Sequence, residues 1–85
     1  MAPTRIPRRI HILNYVLRIQ QVSKRELQRR YGSKDRSVVG LWDDETLTIS
    51  LLRRQSMREK RQTLLHELGH AIVDLINLDA ENFPR

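Results

Sequence analysis

Apolar and polar residues alternate from Tyr15 to Gln20 and again from Thr46 to Leu51, and apolar residues recur at helical spacing from Leu64 to Ile76. In the first stretch Tyr15, Leu17 and Ile19 alternate with Val16, Arg18 and Gln20. A short apolar run, Ile10-His11-Ile12-Leu13, precedes it. This predicts two strands joined near Asn14, by a turn that lacks the preferred glycine. His11 reads as an ordinary strand residue. Val38, Val39, Leu41 and Trp42 make a further strand region, and Asp43-Asp44-Glu45 a turn. Leu47, Ile49 and Leu51 alternate with Thr46, Thr48 and Ser50, which predicts a half-buried strand.

Two capping boxes announce helices. Ser23-Lys24-Arg25-Glu26 and Ser56-Met57-Arg58-Glu59 each place a hydroxyl three residues before a carboxylate, so each can satisfy the other's backbone N–H. Val22 and Leu27 flank the first box where a hydrophobic staple forms. Gly32 suits a C-cap, so a short helix is expected over 24–31, followed by a polar loop from Ser33 to Arg36. A long helix is expected from about Met57 to about Asn77, with Pro84 marking the chain end. At about 100° per residue, Leu64, Leu65, Leu68, Ala71, Ile72, Leu75 and Ile76 share one face. Thr63, His66, Glu67, His70, Asp74 and Asn77 share the opposite one. One side is thus set for a core and the other for a cleft. Gly69 lies between the faces and costs about 1 kcal/mol of helix propensity, which a close backbone or substrate approach would justify.

Composition narrows the class. With 85 residues, 39% of them apolar, the chain has room for one domain over 1–85 and a marginal core that a bound metal would strengthen. There is no cysteine, so disulfides are excluded and any metal site must use His, Asp or Glu. No apolar run approaches the roughly 20 residues of a membrane span. Residues 1–9 read as a basic N-terminal arm, and the expected setting is cytoplasmic. Charge is divided unevenly. Residues 1–36 carry ten Lys/Arg against Glu26 and Asp35, a net +8, and the remainder is −2. The basic half suits nucleic acid, a DNA-bound or acidic protein, or a solvated face.

The chemistry lies on the long helix. Residues 66–70 read His-Glu-Leu-Gly-His, a match to H-E-x-x-H. Residues four apart lie one turn apart on the same face, so two imidazoles can meet one ion. Glu67 sits beside them without needing to ligate. A base must be there to take a proton from a metal-activated water.

The stretches Val38-Val39-Gly40-Leu41-Trp42-Asp43, Thr46-Leu47-Thr48-Ile49-Ser50-Leu51 and Arg61-Gln62-Thr63-Leu64-Leu65-His66-Glu67-Leu68-Gly69-His70-Ala71-Ile72 together resemble the ImmA/IrrE-like and SprT-like metallopeptidases. Small versions of these occur in phages and mobile elements. The resemblance covers residues 38 to about 78. It implies an α+β, minimal zincin-like domain, with a twisted antiparallel sheet packed on a long active-site helix. It implies Zn2+, held by His66 and His70, and hydrolysis of a protein or peptide substrate with Glu67 as general base. It also implies that the strand before the helix, with Leu47, Thr48, Ile49 and Ser50, lines the cleft and takes an extended substrate on its edge.

A catalytic zinc needs three protein ligands and an open position. In the resembled families the third is usually a Glu on a later helix. Here the candidates are Asp74, Asp79 and Glu81. Asp74 suits orienting a histidine. Glu81 is preferred over Asp79 for its longer arm, if the chain turns back beyond Asn77. If neither reaches, the chain is a truncated or inactive relative. The other expectation is a basic nucleic-acid- or repressor-binding module whose metal site is structural or vestigial.

Overall fold

The computed structural model describes residues 5–31 and 38–82. The elements run β1 (Arg9–Ile12), β2 (Tyr15–Val22), α1 (Lys24–Tyr31), β3 (Gly40–Asp43), β4 (Thr48–Leu52) and α2 (Met57–Asn82). The four strands form one sheet in the order β1-β2-β4-β3. The class is α+β, as expected. The sheet is mixed, however, and not antiparallel: β2 and β4 pair in parallel, with Ile19 opposite Ile49. The reason lies in the connection. β2 and α1 leave the chain at one end of the sheet, β3 returns it, and β4 then inserts between β2 and β3. Gly32 and the polar loop 33–36 lie outside the described residues.

The turns carry local cost. Ile12 pairs with Tyr15, so Leu13 and Asn14 form a two-residue hairpin loop. Leu13 has φ 55°, the position where such a loop prefers glycine. In the β3–β4 turn, Asp43 Oδ1 accepts from the Glu45 amide at 2.9 Å and the Thr46 amide at 3.4 Å. Leu47 leaves that turn at φ 52°, and its carbonyl accepts from Arg18 N at 2.9 Å. The strained residue therefore ties the turn to β2.

The core lies between the sheet and α2. Leu17 and Ile19 of β2, Ile49 and Leu51 of β4, and Leu64, Ala71 and Leu75 of α2 are buried together, with Ile10, Ile12, Tyr15, Trp42 and Leu68 packed against them. Each full Leu or Ile burial contributes roughly 1.5–3 kcal/mol. The buried strip of α2 is narrower than its apolar face. Leu65 is 68% exposed and Ile76 53% exposed, because only the side on the sheet is covered. β4 is buried on both faces rather than half-buried. It is a central strand, and Ser50 Oγ accepts from Gln20 Nε2 at 2.9 Å on the face away from α2.

Only the second capping box is complete. Glu59 N donates to Ser56 Oγ, and Ser56 N donates to Glu59 Oε1, both at 3.1 Å. At α1, Glu26 N donates to Ser23 Oγ at 3.2 Å. The Glu26 carboxylate pairs instead with Arg30 at 2.9 Å and with Arg29. α2 also runs five residues past its expected end, since Leu78-Asp79-Ala80-Glu81 contains no helix breaker. No helix among the described residues is long and apolar enough to cross a membrane.

The Ser56 hydrogen bonds, backbone first, hold the Glu59 carboxyl below its ordinary 4.5. A depressed folded value means that this cap contributes fully above the unfolded pKa and is lost as pH falls through the folded one. Ser56→Ala should cost about 1 kcal/mol at neutral pH. Glu59→Gln should lower the melting temperature at neutral pH, and its gap to wild type should shrink as pH falls below 4.5, where the wild-type carboxylate is protonated.

Candidate metal centre

The periodicity of α2 sets the central pair. His66 and His70 lie one turn apart on the solvent side, with ring centroids 4.8 Å apart and planes at 83°. Their Nε2 atoms are 3.3 Å apart. Two nitrogens each about 2.0–2.1 Å from one tetrahedral ion stand about 3.3–3.4 Å apart. The two nitrogens thus have the spacing of two ligands on one zinc ion. The same separation suits an N–H···N contact between neutral rings, which a metal would replace.

β3 forms the opposite wall. Gly40, Leu41 and Trp42 face His66, Glu67 and His70 across a cleft of about 470 Å³. That size lies within the range of small-ligand sites. Gly40 lets the strand approach: a Cβ there would stand 2.5 Å from Thr63 Cγ2 and 3.1 Å from Glu67 Cγ. The missing side chain thus seats the half-buried Glu67 against the strand backbone. At the other end of the cleft Trp42 Nε1 donates to Asp74 Oδ2 at 2.7 Å. Asp74 was expected to orient a histidine. It ties α2 to β3 instead, because Trp42 lies opposite it.

Three further expectations are corrected. Glu81 and Asp79 do not turn back. α2 carries them 11 and 9 residues beyond His70, about 16 and 13 Å along the axis at 1.5 Å per residue. Glu81 lines a separate depression with Asp44, Leu47 and Asn77. Among the described residues no group of three His, Cys, Asp or Glu converges on one point. Second, Thr48, Ile49 and Ser50 lie on a central strand whose edges are both paired, and Leu47 belongs to the turn before it. β3 is the edge strand at the cleft. Third, no atom outside the helix's own local backbone lies within 4 Å of a Cβ built on Gly69, so no neighbouring chain explains it. Reasoning from sequence missed Gly40 and Trp42. A glycine inside a strand does signal a close approach, and Gly40 carried that signal.

Searches of protein-family models, curated proteins and solved structures find no match to this chain.

Two glycine substitutions separate packing from propensity. Gly40→Ala should lose about 1–3 kcal/mol in denaturant melts, because Thr63 and Glu67 must give way. Gly69→Ala should gain about 1 kcal/mol, since it adds helix propensity in open space.

Proposed function

We propose that this protein is a minimal zinc-dependent peptidase, with His66 and His70 holding the ion and Glu67 as general base. The observation that carries this reading is the 3.3 Å separation of the two Nε2 atoms. It occurs in a cleft that also holds a carboxylate and the backbone of an edge strand. Bound zinc would supply Lewis acidity toward water and a peptide carbonyl. Glu67 then takes a proton from the attacking water and gives it to the departing amine. Val39 O accepts from Leu52 N, so its carbonyl faces β4, and by alternation the backbone groups of Gly40 and Trp42 face outward. An extended peptide adds a strand there, beside Glu67.

One observation favours a second reading. Residues 5–31 and 38–82 supply two ligands and no third. A basic binding module with a vestigial metal site fits that count, since a catalytic zinc takes three protein ligands and a structural one four, and such a module has no use for a base beside the ion.

Metal analysis and cleavage assays decide between them. The protein should hold about one zinc per chain, and His66→Ala should lose it. Glu67→Gln should keep the zinc while peptide cleavage falls about 10²–10⁴-fold. Equal zinc in wild type and His66→Ala would remove the site. Wild-type cleavage by Glu67→Gln would remove the mechanism. Zinc held without cleavage by wild type, on peptides and candidate protein partners alike, would favour the second reading.

A further inference from the structure

One groove lies along β2 and another lies beyond its end, and neither shares a residue with the metal cleft. The first, about 500 Å³, is lined by Arg8, Arg9, Arg18, Gln20, Gln21 and Thr48 among others. The second, about 680 Å³, lies where the parallel strands β2 and β4 both end, between Lys24 and Arg25 on one side and Arg53 and Arg54 on the other. All seven cations are exposed. No Asp or Glu lines either groove. Among the described residues the recorded ion pairs go to Glu26, from Arg29 and Arg30.

The charges sit where the fold disfavours them. Arg9 is the direct cross-strand partner of Arg18. Like charges directly opposite on neighbouring strands repel. Alternation from Ile19 and Ile49, which face α2, puts Arg18 on the opposite face of the sheet. Lys24 and Arg25 occupy the first turn of α1, where the helix dipole favours anions and opposes cations, and the Glu26 carboxylate of the same turn is paired with Arg29 and Arg30. At both grooves positive charge is thus held against the local electrostatics of the fold. An anionic ligand spanning the two would reverse both costs.

We infer that this basic track binds the phosphate backbone of duplex DNA. Six of the seven cations are arginine, whose planar fork matches phosphate oxygens. Arg18 to Val22 alone spans about 13 Å of strand, and duplex DNA presents about eight charges on its two strands over that length, so an extended polyanion offers phosphates to both grooves. No aromatic side chain lines either groove, so there is no platform for stacking unpaired bases. The contact reads charge and not sequence.

Fluorescence anisotropy with a labelled duplex of about 20 base pairs tests this. Binding should be clear at about 50 mM salt and fall more than about tenfold by 200 mM. Arg9→Glu/Arg18→Glu and Lys24→Glu/Arg25→Glu should each weaken binding at least about tenfold and lower the salt slope by about two. Arg58→Glu/Lys60→Glu makes the same change of charge on the first turn of α2, and should cost less than about threefold. Arg18→Glu alone turns a repulsion into an attraction, so its melting temperature should equal or exceed wild type. Lys24→Glu/Arg25→Glu puts acid at a helix start and should also keep the fold. Absence of binding at 50 mM salt would overturn the proposal. So would equal loss in the α2 control, or competition by single strands, polyglutamate or anionic vesicles as strong as by unlabelled duplex.

Discussion

Leu64, Ala71 and Leu75 recur at intervals of seven and four, and these positions hold α2 against Ile49 and Leu51. All five are almost wholly buried. The fit depends on small residues as much as large ones. Ala71 is fully buried, and a Cβ on Gly40 would overlap Thr63. Close packing of this kind tolerates little added volume. The seating of one helix on two strands therefore fixes the depth of the core. It also fixes the width of the cleft, because the other side of α2 carries the histidines.

That single contact sorts the molecule into two working regions. Toward β3, α2 presents His66, Glu67 and His70 to a free strand edge. Away from α2, the sheet and its far end present arginine and lysine. The proposed peptide site and the proposed DNA track are thus separate and share no residue. A peptidase held on DNA would meet DNA-bound proteins at raised local concentration. The two proposals stand on different residues, so either can hold without the other.

The complete capping box at Ser56 and Glu59 starts α2 three turns before the motif. A helix nucleus is costly, and a satisfied N-terminus offsets part of that cost. Leu13 and Leu47 spend stability in the opposite sense, at positive φ in the two tight turns. Leu47 is compensated by its packing against the core and by the hydrogen bond from Arg18 to its carbonyl. The sheet order thus rests partly on a strained residue next to β4.

Much of the fold was legible because it is local. Alternation located β2 and β4, the serine–glutamate boxes located both helix starts, and the four-residue spacing of His66 and His70 brought their Nε2 atoms to 3.3 Å. Each follows from the geometry of one helix or strand, which a short window of sequence contains. What failed was long-range. The order β1-β2-β4-β3 made β4 central and β3 the edge, moving the cleft wall from Thr48–Ser50 to Gly40–Trp42. The straight run of α2 to Asn82 took Asp79 and Glu81 away from the histidines, and pairing across the cleft gave Asp74 to Trp42. Periodicity states which residues share a face, and it carries no information about which element meets that face. The tertiary structure made that choice through packing of side chains distant in sequence.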